Sequence, residues 1–180
     1  MTSNFPASLA FVWAPERYSP GQGFHITPGD SGGGTNGGVI QVTWDSAVRA
    51  GIVKGSLAAA TNDQLSAVLE TAFWGPTCDA LPDGLDLLLF NGRMMSGRFP
   101  RLFQQCLGFM AADVDGWIGP ESLKAARSRE PETLIDAISG AHYAYLAGLA
   151  EWAEFSAGWT TRLKAVQAAA IALADAAPIA

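Results

Sequence analysis

Charge is scarce in this chain. Only 16% of its 180 residues are charged, and eleven Lys and Arg face seventeen Asp and Glu. No basic block exists to neutralise phosphates, so nucleic acid is excluded as a partner. Cysteine is almost absent. Cys78 and Cys106 form no CxxC, and no Cys/His cluster has zinc spacing, so no metal and no cofactor are expected; two buried thiols are preferred, and spacing leaves a disulfide open. Long apolar runs are missing too. Although 49% of residues are hydrophobic, every window of about 18 residues carries charge or polar punctuation, so no stable membrane insertion is expected. Met1-Thr-Ser-Asn-Phe-Pro6 lacks the basic start and apolar run of a signal peptide. Synthesis in the bacterial cytoplasm, with delivery by another route, is the expectation.

Glycine, by contrast, is concentrated. Eight of the eighteen residues from Gly21 to Gly38 are glycine. Such density has an entropic cost and calls for tight turns or a closely approaching ligand. The groups in or beside this stretch that are able to do chemistry are Glu16, His25, Asp30 and Thr35.

Pro6 to Ala14 reads as a first helix, stopped by Pro15. Glu16 then stands just past a helix C-terminus, where partial negative charge pushes a carboxyl pKa upward. That direction suits a general acid. Phe24–Thr27 and Val39–Thr43 have strand composition, a small hairpin or two. His25 reads as structural. Thr43 is placed as the cap of a helix over Trp44–Ala50.

Thr61 with Gln64 has the form of a capping box. Leu65, Val68, Leu69, Ala72 and Phe73 follow on one helical face, closed by Trp74-Gly75-Pro76. Leu85–Met95 is a buried helix in which Gly92 marks a close contact or a break. Pro100–Leu107 forms another, with Leu102, Phe103, Cys106 and Leu107 inward. Asp113 and Asp115 resemble the start of a calcium loop, but the later acidic ligands are absent, so a turn is expected. Glu121–Ser128 is a short helix. A long helix opens at Pro131 with Leu134, Ile135, Ile138, Tyr145, Leu149 and Trp152 inward. Gly158-Trp159 interrupts before a last helix over Thr160–Ala176. The fold class is mainly α, with a small glycine-rich β-hairpin region after the first helix. Two lobes, 1–76 and 77–180, are expected to pack as one unit.

A carboxyl at a helix end, a second carboxylate on a glycine-rich loop and a nearby threonine suit glycoside hydrolysis. The run Asp30-Ser-Gly-Gly-Gly-Thr35-Asn-Gly-Gly38-Val resembles the Asp-Pro-Gly-Gly-x-Thr-x-x-Gly-Ile segment of glycoside hydrolase family 108. These are phage and bacterial N-acetylmuramidases with a lysozyme-like fold. Phe73-Trp74 followed by Cys78-Asp-Ala-Leu-Pro-Asp-Gly-Leu-Asp86 is similar to a second segment of that family. Leu102 to Gly108, with Asp115-Gly116-x-Ile118-Gly119-Pro120, resembles its predicted peptidoglycan-binding region. Gly158-Trp159-x-x-Arg162 matches a late motif.

The departures fall where chemistry is expected. Pro15-Glu16-Arg17-Tyr18 stands where the family has Glu-Gly-Gly-Tyr, so Glu16 takes the acid's place only across a one-residue deletion. Twelve positions separate Tyr18 from Asp30, which makes Gly21–Ile26 an insertion. Phe90-Asn91 stands where the family has Phe-Asp.

The resemblance implies an endolysin-type muramidase acting on peptidoglycan glycan strands. Glu16 would be the acid, with Asp30 and Thr35 positioning water. Tyr18, Gly33, Asn36 and Asn91 would contact substrate. Delivery would be holin-assisted or on a phage particle. The alternatives are a lysozyme-like binding module without turnover and a phage structural component. Hydrolysis is preferred because Glu16 is the only carboxylate between Met1 and Asp30.

Overall fold

The computed structural model describes residues 4–14, 23–26 and 33–176. These are predominantly helical, with a small antiparallel sheet after the first helix. They fall into two compact units, one ending at Gly75 and the other beginning at Pro76.

In the first unit, helix α1 spans Phe5–Val12, with proline in its first turn where a missing N–H costs nothing. Phe5, Leu9 and Val12 are buried, and the Phe5 ring lies 5.5 Å from that of Trp74. Strands β1 (His25–Ile26), β2 (Gly34–Asn36) and β3 (Val39–Ile40) pair in that order, all antiparallel. Helix α2 covers Gln41–Arg49 and α3 covers Asn62–Leu69. The Thr61 box is present: Gln64 N–H donates to Thr61 Oγ1 at 3.3 Å and Thr61 N–H to Gln64 Oε1 at 3.0 Å. Trp44 is buried, with its indole N–H donating to Gly55 O at 3.0 Å.

Two expectations for this unit are corrected. Gln41–Thr43 is helical rather than strand, so Thr43 lies inside α2 and Ile40 holds the cap position. The β-branched pair Val39-Ile40 carries the strand alone. Secondly, the apolar face after Leu69 does not continue at a 3.6 spacing. Glu70–Trp74 forms a π turn. Its wider repeat carries burial from Leu69 to Trp74, leaving Ala72 exposed and Phe73 half-buried.

The short α4 (Gly75–Asp79) leads into the second unit, which is built around α5 (Leu85–Met95). Every residue of α5 from Leu85 to Gly92 is buried, because α6 (Phe99–Cys106), α8 (Pro131–Ala147) and α9 (Trp152–Ala176) all pack on it. Each leucine fully buried this way is worth about 1.5–3 kcal/mol. Gly92 is the close contact expected, since a Cβ there would run into the Phe99 ring. Helix α7 spans Pro120–Arg127.

Helix α8 is capped by Glu130, whose carboxylate accepts from Glu132 N–H at 3.0 Å and Thr133 N–H at 2.6 Å. Its inward face is Leu134, Ile135, Ile138, His142 and Leu146, not Tyr145 or Leu149, which are half-buried. Gly158-Trp159 does not interrupt: both residues lie inside α9. A helical glycine costs about 1 kcal/mol relative to alanine. The ring contacts of Trp159 with Trp152 at 6.2 Å and Phe155 at 5.7 Å favour the continuous helix. Leu102 and Cys106 are half-buried, while Phe103 and Leu107 are core.

Both cysteines are free thiols; Cys78 is buried and Cys106 half-buried. Burial pushes the Cys78 thiol up to about 12, against the lowering influence of Arg93 nearby. Among the described residues, no helix is long and apolar enough to cross a membrane.

Candidate active site

The described part of the glycine-rich region is a hairpin. Asn36 pairs with Val39, and Gly37-Gly38 turn the chain between them. Their φ values are +54° and +83°. Positive φ at both central residues is what a type I′ turn requires, and it matches the twist of the strands. Gly37 has a second reason to lack a side chain, because a Cβ there would fall 2.9 Å from Leu65 Cδ1. The turn is held from outside as well. Trp13 donates its indole N–H to Gly37 O at 3.0 Å, and the Asn36 amide donates to Leu57 O at 3.0 Å.

Thr35 is at the centre of β2, half-buried, and pairs with His25 on β1 and Ile40 on β3. Directly paired residues of antiparallel strands point to the same face. The register therefore puts Thr35 and His25 side by side. His25 is exposed, and its Nδ1 is 3.3 Å from Gly23 O. The sequence reads His25 as structural because it is a lone histidine in a strand; β2 carries no strand signal, so the pairing with Thr35 is invisible there. Phe24 covers Gly34, where a Cβ would collide with its ring.

Gly33 is exposed at the start of β2 with φ +75°. Asn36 is buried. Glu16, Tyr18 and Asp30 lie outside the described residues. The structure thus brings Gly33, Thr35 and Asn36 onto one strand and its approach.

Asn91 belongs to the second unit, on α5. It is 1% exposed, and its amide is held on both sides. Arg162 Nε donates to its Oδ1 at 2.8 Å, while its Nδ2 approaches Met95 Sδ at 3.6 Å. A sugar contact at Asn91 would require that arrangement to open. His142 is buried in the same unit, 4.7 Å from the Phe99 ring. Burial, and next the charge of Arg162, lowers its pKa to about 4.

The Asp113–Pro120 connection is a clamped turn, as expected. Gln104 is buried and donates through Nε2 to Asp115 Oδ1 at 2.8 Å and to Trp117 O at 3.1 Å. Its Oε1 accepts from Gly116 N–H at 2.7 Å. Asp115 Oδ1 also accepts from Trp117 N–H at 2.8 Å. These hydrogen bonds, that from Gln104 first, hold the Asp115 carboxyl below its ordinary pKa. Among the described residues, no group of three His, Cys, Asp or Glu could hold a metal ion.

Comparison with known proteins agrees with this architecture. Residues 21–97 match the family model described as glycosyl hydrolase 108, and residues 100–164 match a predicted peptidoglycan domain. The first match takes in Asp30, Thr35 and Asn91 but begins after Glu16 and Tyr18. The chain is also similar to the solved structure of Brucella abortus SagA. The two are 27% identical, with a TM-score of 0.81 and 95% of each chain covered. No curated protein matches.

Proposed function

We propose that the chain, with its glycosyl hydrolase 108-like span followed by a predicted peptidoglycan domain, is a glycoside hydrolase that cleaves the β-1,4 linkage between N-acetylmuramic acid and N-acetylglucosamine. The observation that carries the proposal is the hairpin inside the matched span, which presents Thr35 at the centre of a sheet built on a rigid glycine turn.

On this reading Glu16 protonates the glycosidic oxygen. A general acid in this role gives its proton to the leaving oxygen as the bond breaks. Asp30 as the carboxylate and Thr35 as a hydroxyl position the attacking water, and His25 supplies a further polar group on the Thr35 face. Tyr18 and Gly33 contact the sugar. Asn36 supports the strand through Leu57, and Asn91 holds Arg162 within the second unit. The partner is the peptidoglycan glycan strand. Holin-assisted release or carriage on a phage particle remains what the resemblance alone implies.

The test is the identity of the new reducing end. Purified peptidoglycan is digested, reduced with borohydride and hydrolysed. Reduced muramic acid is the expected product. Reduced glucosamine in its place would move the cleavage to the other glycosidic bond and overturn the assignment.

A further inference from the structure

Trp117 is 69% exposed, more than any other aromatic residue among those described. A tryptophan so exposed forgoes most of the stabilisation that burial would give it. It is nevertheless held rigidly. Its own N–H and C=O are both hydrogen-bonded within the Gln104–Asp115 clamp. The next residue, Ile118, is buried and anchors the turn to the core. The six-membered ring lies over Gly119, where a Cβ would fall 2.6 Å from Trp117 Cζ3. Gly119 is therefore the gap that lets the indole lie flat on the backbone.

The Gln104 side-chain amide, on a residue only 2% exposed, makes three hydrogen bonds to this turn. A connection that merely joins two helices has no need of a fixed indole at its tip. The same turn carries charge. The Asp115 carboxylate accepts the Trp117 backbone N–H at 2.8 Å, and the Arg101 side chain lies 3.4 Å from where a Gly116 Cβ would be.

An exposed apolar plate on a turn that also carries Asp115 and Arg101 fits the chemistry of a pyranose. A sugar ring in its chair form has one face of C–H groups and an equator of hydroxyl and amide groups. The C–H face stacks on an indole, and the equator meets carboxylate and guanidinium. The Arg101 cation also complements the lactyl carboxylate that distinguishes muramic acid. The turn lies within the span matching the predicted peptidoglycan domain.

We infer that Trp117 is a stacking platform for an N-acetylhexosamine of the glycan strand, with Arg101 and Asp115 as the charged groups of the same turn. The inference rests on the peptidoglycan reading above but requires no turnover. The platform retains the wall near the enzyme, separately from the site that cuts it.

The experiment uses the full chain carrying Glu16→Gln, so that sacculi are not digested during binding. Cosedimentation with purified sacculi is compared for this chain with Trp117 intact, W117A, W117F and the exposed-surface control M110A. Circular dichroism and thermal midpoints establish that each is folded. Loss of one stacking contact predicts about a tenfold weaker binding for W117A. W117F should recover a large part, and M110A should show no change. A second readout is the indole N–H resonance missing from W117A, which should shift on titration with chitotetraose.

Equal binding by W117A, absence of binding by every form, or an unmoved resonance would each overturn the platform. So would a Trp117-dependent dimer in sedimentation velocity with unchanged sacculus binding, which would assign the ring to self-association. Reducing-sugar release is measured separately on the chain with native Glu16. Its failure would sink the muramidase reading while leaving a Trp117-dependent binding result standing.

Discussion

Arg162 Nε on α9 donates to Asn91 Oδ1 on α5 at 2.8 Å, joining residues 71 positions apart. The bond ties the last helix to the buried central helix of its unit. It also gives Asn91 a structural task, although the resemblance implies a substrate contact at this position, where the family has aspartate.

Asn91→Ala should therefore cost stability. Removing the acceptor leaves a charged donor in the core, at a cost of about 1–3 kcal/mol. The urea midpoint should drop with the slope unchanged. An unchanged midpoint with a raised KM would instead mean that Asn91 touches substrate.

His142 predicts an acid sensitivity. Its pKa is lowered from 6.5 to about 4 by burial, with the Arg162 charge adding to it. Between those values the unfolded chain binds the proton and the folded chain does not. The stabilisation is fully present above pH 6.5 and is lost as the pH falls toward 4, to an extent of about 3 kcal/mol. Thermal midpoints of the parent and His142→Gln across this window test it. The parent should fall more steeply, and parallel curves would show that His142 is not the sensor.

Gly84 predicts a large backbone effect. It precedes α5 with φ +84°, and a Cβ would meet the Ala170 carbonyl of α9. Gly84→Ala combines left-handed strain with overpacking, a loss of about 2–4 kcal/mol. Equilibrium unfolding measures it. A loss below about 0.5 kcal/mol, the range of an ordinary surface substitution, would mean that the α5–α9 contact is looser than described.

Where local chemistry decided the structure, the sequence was legible. Thr61 and Gln64 form their box because both partners sit three residues apart, and Gly92 marks its contact because nothing larger fits beside Phe99. Legibility failed where tertiary packing overrode pattern. Glu70–Trp74 widens to a π turn so that Trp74 is buried, and Trp159 with its aromatic neighbours favours one helix through Gly158. The strand Gly34–Asn36 has neither apolar alternation nor length, being defined by hydrogen bonds to β1 and β3. Thr35 could be picked out from motif, but its pairing with His25 required that register. The purpose of Gln104 was likewise hidden, since its partners lie eleven to thirteen residues away.

The central claim is that Glu16 is the catalytic acid. The most direct measurement is release of reducing sugars from purified peptidoglycan by the parent and by Glu16→Gln, which keeps the shape and removes the proton. General acid catalysis contributes about 10²–10⁴-fold. The account predicts activity in the parent and a loss of that order in the variant, with the thermal midpoint unchanged. Equal release by both proteins would contradict it and move the acid elsewhere.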